Sequence, residues 1–210
     1  TAAINGLLVQ AVEMGRLTQD HLDWHGGMDA YAAAKARVVG RTGLLVLNRS
    51  DARVMALQPV SDDAKKKKII EREVATFGTD APQVAGDWGL ENINGMQWLV
   101  RLIEREGGRK KARAGAPEHE GYDDDAPFMQ RLMPAEALRI QGQHNALNAL
   151  AALALATSAG ASLAPMLYGL REYRGEPHRV EPVTVLDGVE YFDDSKGTNV
   201  GATVAALQGL

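Results

Sequence analysis

Seven consecutive residues near the end of the chain, Asp193-Asp194-Ser195-Lys196-Gly197-Thr198-Asn199, hold two aspartates, a lysine, a glycine and two residues able to cap a helix. Fixed charge at that density is unfavourable unless a charged ligand shares it. The segment joins an apolar run ending at Phe192 to an apolar helix predicted from about Asn199, so it lies at a strand's carboxyl end. Open α/β folds bind their ligands there. Thr198 or Asn199 would cap the helix, whose free N–H groups favour an anion. Lys196 adds a mobile positive charge suited to a phosphate or a developing oxyanion. The plainer alternative is a capped helix carrying a surface ion pair.

A second polar cluster, Gly142-Gln143-His144-Asn145-Ala146-Leu147-Asn148, opens another predicted helix. Asn145 and Asn148 are three residues apart and share a helical face, so their amides present donors and acceptors together, as an adenine edge requires. Asn145 is alternatively no more than a cap. The two clusters together point to an enzyme that handles a nucleotide and a carboxylate. Thr18-Gln19-Asp20-His21-Leu22-Asp23 gathers metal-capable oxygens around one imidazole, although a single loop histidine is more often structural. His178-Arg179 follows a break at Pro177 and places a guanidinium where it would reach a nucleotide phosphate or ribose. Lys35 reads, on its own chemistry, as a solvated helix lysine. His25, His119 and Trp24 carry no comparable signal.

The elements that must position these residues are legible from hydrophobic period and turn chemistry. Residues 1–14 read as a helix with Ile4, Leu7, Leu8 and Ala11 on one face and a stop at Gly15. Tyr31 to Val39 reads as an alanine-rich helix. Leu44-Leu45-Val46-Leu47, ending at Asn48, suits a buried parallel strand, and Val74-Ala75-Thr76-Phe77 before Gly78 reads as another strand. Asp87–Glu91 and Met96–Ile103 flank Asn94-Gly95, which permits the positive φ angles of a hairpin. Helices are predicted over Asn145–Ser158 and Leu163–Tyr173. Arg174-Gly175-Glu176-Pro177 breaks the pattern and marks a domain boundary. Beyond it, Val180–Leu186 and Val189–Phe192 form a hairpin about Asp187-Gly188. The expected class is α/β: an incomplete, mostly parallel sheet with helices and a β-hairpin region over 1–174, then the start of a second domain over 175–210.

Composition narrows the function. The 210-residue chain is 45% hydrophobic and 24% charged, ordinary for a globular protein. It has no cysteine, which excludes disulfides and thiolate zinc sites. No apolar run is long enough for a membrane span, and Thr1-Ala2-Ala3-Ile4 lacks a signal peptide's basic flank, so a cytoplasmic location without membrane insertion is expected. A net charge of -4 argues against nucleic acid as a partner. Lys65-Lys66-Lys67-Lys68 sits among Asp62, Asp63, Glu71 and Glu73 and reads as a charge-balanced loop or short helix. Arg109-Lys110-Lys111-Ala112-Arg113 lies in an expected exposed loop from Gly107 to about Ala126.

Five segments in order, Leu17–Asp23, Tyr31–Lys35, Gly142–Leu150, Pro177–Arg179 and Asp194–Asn199, resemble the Mur ligases. The resemblance is good over about 16–58 and 129–210 and weak between. It implies a central ATP-binding domain followed by the opening of a Rossmann-like C-terminal domain. It also implies ATP- and Mg²⁺-dependent addition of D-glutamate to UDP-N-acetylmuramoyl-L-alanine through an acyl phosphate, by a monomer. On that pattern His21 is a magnesium ligand beside the acceptor substrate, and Lys35 matches a lysine that is carbamylated into a carboxylate-like metal ligand. Asn145 and Asn148 match adenine-side residues, and Arg179 and Asp194 match residues gripping the nucleotide from the second domain. Lys196 and Thr198 match positions lining the phosphate and the incoming amino acid.

The chain departs from the pattern in two places. The family's Gly-Lys-Thr/Ser phosphate loop is absent, although Thr1 to Met14 resembles the helix that follows that loop. Gly15-Arg16-Leu17 then runs directly into Thr18, where the family has several strand–helix units carrying a metal-binding glutamate. The resulting expectation is a truncated, internally shortened ligase, or a part of a longer one, whose 210 residues are inactive alone. Alternatives are a non-catalytic adenine-nucleotide-binding module and a ligase of the folylpolyglutamate synthetase kind.

Overall fold

The computed structural model describes residues 11–14, 22–39, 43–58, 73–105 and 126–208. Its central feature is a six-stranded sheet in strand order β1 to β6, so consecutive strands are neighbours throughout. The strands are β1 (Ala11–Met14), β2 (Leu44–Asn48), β3 (Val74–Phe77), β4 (Trp88–Ile93), β5 (Met96–Ile103) and β6 (Phe128–Pro134). The first four run parallel, whereas β4–β5 and β5–β6 pair antiparallel. The expected α/β class, the parallel strand at β2 and the strand at β3 are present, and β3 is parallel as well.

β2 shows why an unbroken apolar run belongs in such a sheet. Leu45 and Leu47 pack on one side with Tyr31 and Val54, from the helices α2 (Met28–Ala36) and α3 (Ala52–Met55). Val46 points to the other side, into a core with Phe77, Trp88, Leu90, Leu99 and the helix α4 (Gln143–Ser158). Both faces of the strand are covered, so polar alternation would bury unpaired groups. α4 fills its side with small and branched apolar residues, Ala146, Leu150, Leu153 and Ala154 among them, all buried. The helix α5 (Leu163–Glu172) adds Met166, Leu167 and Leu170 to the margin of that core.

The predicted hairpin is β4–β5, with Asn94 at φ 53° and Gly95 at φ 83° in its two-residue turn. Arg49 fastens the crossing from β3 to β4. Its guanidinium donates to Asp80 Oδ1 (2.8 Å), to the Asp80 and Trp88 carbonyls (2.5 and 2.6 Å) and to Thr76 Oγ1 (3.2 Å). Gly78 and Gly89 make room for it: a Cβ at either would collide with Arg49 atoms or with the Asp80 backbone.

The reading of residues 1–14 as one helix is corrected at its end. Ala11–Met14 is β1, paired parallel with Leu44–Leu47, and residues 1–10 lie outside the described residues. Four residues cannot distinguish a helical from an extended period, and β2 offers an open edge that backbone pairing satisfies. The Tyr31–Val39 helix spans Met28–Ala36, and the helix placed from Asn145 begins two residues earlier, at Gln143. β6, α1 (Leu22–His25) and α3 were not anticipated. The lysine run at 65–68 and the basic part of the 107–126 loop lie outside the described residues.

After α5 the chain runs without regular structure from Tyr173 to Val180. It then forms a separate two-stranded antiparallel sheet, β7 (Glu181–Leu186) and β8 (Val189–Asp193), followed by α6 (Val200–Leu207). Asp187 (φ 50°) and Gly188 (φ 79°) make the expected turn.

Candidate functional site

The first turn of α4 carries the amide pair. Gly142, at φ 98°, occupies the N-cap position and supplies no side-chain cap. Asn145 is therefore not the cap. Its Nδ2 reaches back to the Gln141 carbonyl at 2.7 Å, and its Oδ1 accepts from Asn148 Nδ2 at 3.4 Å. Asn145 is half-buried and Asn148 exposed. Asn145 thus holds Asn148 from below, and the Asn148 side-chain Oδ1 takes no partner among the described residues. An adenine edge, which offers a donor and acceptors together, is the kind of ligand that arrangement suits.

The second cluster forms where two loops of the C-terminal hairpin meet. The Val180 N–H donates to Asp194 Oδ1 (3.2 Å), and the Lys196 N–H donates to the His178 carbonyl (3.1 Å). These bonds bring Arg179, Asp194 and Lys196 to one end of the hairpin. Gly197 closes the turn by donating to the Asp194 carbonyl, and a Cβ there would strike the Asp194 carboxylate. Asn199 caps α6, its Oδ1 accepting from Ala202 N–H at 2.9 Å, which settles the choice between Thr198 and Asn199. Arg179, Lys196 and Thr198 are exposed, and the Lys196 ammonium has no ion-pair partner among the described residues.

The strongest electrostatic feature lies beside these residues. His178 Nδ1 stands 2.7 Å from Asp193 Oδ2, and Asp193 Oδ1 accepts from the Ser195 N–H at 2.9 Å. The hydrogen bond from His178, then those from Ser195, pull the Asp193 carboxyl down to about 2. The carboxylate is accordingly the acceptor and Nδ1 carries the proton. Glu181 accepts from the His178 N–H at 2.9 Å. Among the described residues, His178, Glu181 and Asp193 are the one group whose potential metal-ligating atoms lie within 4.8 Å of one another, and their mutual hydrogen bonds account for that closeness.

Lys35 projects from α2 and is exposed. Its Nζ lies 5.5 Å from the centroid of the buried Tyr31 ring, which packs against His25 at 5.2 Å between centroids. His21 lies outside the described residues, as do Thr18, Gln19 and Asp20. The structure therefore brings together Asn145 with Asn148, and Arg179 with Asp194 and Lys196. No hydrogen bond or ion pair among the described residues links the first group to the second. The sequence reading named His178 only as Arg179's neighbour and gave His25 no role. The sequence held no sufficient signal for His178: the Asp187-Gly188 turn alone would set Asp193 opposite Pro182, and it is the bulge between Pro182 and Thr184 that brings Asp193 opposite Glu181, two like charges with a donor between them.

Comparison with known proteins places these features in context. The sequence model of the Mur ligase middle domain matches residues 7–156. The chain is 57% identical over 205 residues to the UDP-N-acetylmuramoylalanine--D-glutamate ligase of Albidiferax ferrireducens, covering 98% of this chain and 39% of that protein. Enzymes of the same name from a Polaromonas species (57% over 194 residues, 92% and 32% of the two chains) and Burkholderia mallei (55% over 195, 92% and 38%) are also similar. The chain thus spans less than two-fifths of the length of these curated relatives. Among solved structures, MurF from Acinetobacter baumannii superposes with a TM-score of 0.59 at 19% identity, over 96% of this chain and 37% of that one. The UDP-N-acetylmuramate-alanine ligase MurC from Thermotoga maritima gives 0.54 at 23% identity, over 95% and 37%. At such identities the structural likeness speaks to fold alone.

Proposed function

Because this chain belongs to the Mur ligase family, we propose that it carries the nucleotide-gripping part of an ATP-dependent ligase that joins D-glutamate to UDP-N-acetylmuramoyl-L-alanine. The observation supporting this most is the presence in one chain of an amide face on α4 suited to adenine and of a cationic, aspartate-bearing loop end on β7–β8. Residues 1–174 would form the central domain and 175–210 the opening of a C-terminal one.

In the proposed reaction the alanine carboxylate attacks the γ-phosphorus of ATP and ADP leaves, giving an acyl phosphate. The D-glutamate amine then adds to the acyl carbon, loses a proton and expels inorganic phosphate. Such chemistry rests mainly on alignment and on neutralising phosphoryl charge. Asn145 and Asn148 would hold the base, while Asp194 accepts from a ribose hydroxyl and Arg179 donates to a phosphate. Lys196 would meet the charge building on the transferring phosphoryl group, and Thr198 would donate to the incoming amino acid.

A bound Mg²⁺ would supply Lewis-acid neutralisation of the phosphates. Lys35 fits such an ion only after modification, since an ammonium repels a cation. A carbamate, formed when the neutral Nζ adds to carbon dioxide and loses a proton, would offer it oxygens. Lys35 belongs to the α2 face that packs on α1, and His21, which would be the other ligand, lies outside the described residues.

The test is a graft. Residues 143–208 of this chain would replace the matching segment of the full-length Albidiferax relative. Phosphate release that requires both D-glutamate and UDP-N-acetylmuramoyl-L-alanine, and that Lys196→Ala abolishes, is the expected outcome. A graft that binds ADP but releases no phosphate would instead favour a non-catalytic nucleotide module. Preference for a folyl acceptor would point to the other ligase class.

A further inference from the structure

We infer that His178 is a positioning residue, a latch that holds Arg179, Asp194 and Lys196 as one ligand-facing unit. The inference rests on the nucleotide reading for its consequence, though not for its geometry. Three separate groups of His178 cross to three separate partners. Nδ1–H donates to Asp193 at the end of β8, the backbone N–H donates to Glu181 at the start of β7, and the carbonyl accepts from Lys196 in the following loop.

The register explains why a latch is required. Glu181 and Asp193 are cross-strand partners, and like charges placed opposite each other push a hairpin apart. His178 gives each carboxylate a donor and so converts the repulsion into a clasp. That clasp has work to do. His178 sits at φ 66° and Val180 at φ 49°, and a β-branched residue in the left-handed region is strained unless its surroundings over-determine it. The Val180 N–H to Asp194 bond and the His178 clasp supply that constraint, and Arg179 lies between them. The same loop end orients Asp194 Oδ1 and the Lys196 backbone, so releasing His178 frees all three ligand-facing residues together. Asp193 itself is engaged with His178 and Ser195, which leaves Asp194 as the carboxylate of the pair to meet a ligand.

The test uses the 210-residue chain with His178→Gly, which relieves the positive φ while deleting the side chain, and His178→Asn. Asparagine tolerates the left-handed region and places an amide donor close to where Nδ1 stood. Three readouts are taken: amide hydrogen exchange at Val180 and Lys196, the carboxyl titration of Asp193 by carbon NMR, and affinity for ADP. With His178→Gly, exchange at both amides rises about tenfold, Asp193 titrates upward toward an ordinary aspartate near ~4, and ADP binding weakens about tenfold. His178→Asn restores all three toward the parent values, which a merely space-filling histidine would not explain. Unchanged exchange and an unchanged Asp193 titration in His178→Gly would overturn the latch, whatever ADP does. A parent chain that binds no ADP would overturn the nucleotide reading, while exchange and titration still decide the latch.

Discussion

Asn145 and Asn148 look alike in the sequence and differ in what the fold asks of them. Asn145 spends its amide on the Gln141 carbonyl and its oxygen on Asn148, so Asn145→Ala should weaken nucleotide binding and also destabilise the first turn of α4 by about 1 kcal/mol. Asn148→Ala should weaken binding while leaving the denaturation midpoint within error, because the side chain is exposed. Asp193 makes a prediction of its own. Its folded-state value is depressed to about 2, so its contribution to stability is present above the ordinary aspartate range and disappears as pH falls through that value. Carbon NMR of the Asp193 carboxyl between about pH 1 and 6 should show it ionised throughout the upper part of that range. The residue types and spacings disclosed both polar clusters, but not the partition of labour within them. Nothing in Asp193-Asp194 says which carboxylate is tied to His178 and which is left for a ligand; that depends on a cross-strand register and a bulge between Pro182 and Thr184.

At the scale of elements, the segments most readable in advance were those with a single physical driver. β2 is buried on both faces and reads as an unbroken apolar run, while β4–β5 and β7–β8 are announced by Asn-Gly and Asp-Gly turns. β1 was misread because its stabilisation is backbone pairing to an edge, which leaves no mark on four side chains. The 128–134 strand has the same excuse, since its register against β5 shifts between Leu99 and Val100 and blurs any strict alternation. The Arg49 crossing was invisible as well, because its partners are spread over Thr76, Asp80 and Trp88. Gly89 tests it. Gly89→Ala forces a methyl group into the Asp80 carbonyl and the Arg49 guanidinium, and should lower stability by about 2 kcal/mol, measured by urea denaturation. Gly86→Ala, which meets open space, reports the positive-φ penalty alone and serves as the comparison.

For the molecule as a whole, burial divides unevenly. The six-stranded sheet has two helix-covered faces with fully buried residues on each. By contrast every residue of β7 is exposed, Val183 at 64% and Val185 at 62%, and Ala206 is the one buried residue among those described in α6. A two-stranded hairpin with little buried apolar surface is marginal on its own. Amide exchange should therefore proceed through local opening across β7–β8 well before it does in β2 or α4, and addition of ADP should slow it. Family membership is carried by residues 7–156, yet half of the proposed nucleotide grip lies beyond them, on this weakly buried hairpin.

Calorimetric titration of ADP into the 210-residue chain, repeated with Asn148→Ala, Asp194→Ala and the double variant, tests most directly whether α4 and the hairpin serve one nucleotide. The account predicts measurable binding, weakened about tenfold by each single substitution. Binding that Asn148→Ala weakens and Asp194→Ala leaves untouched would contradict it.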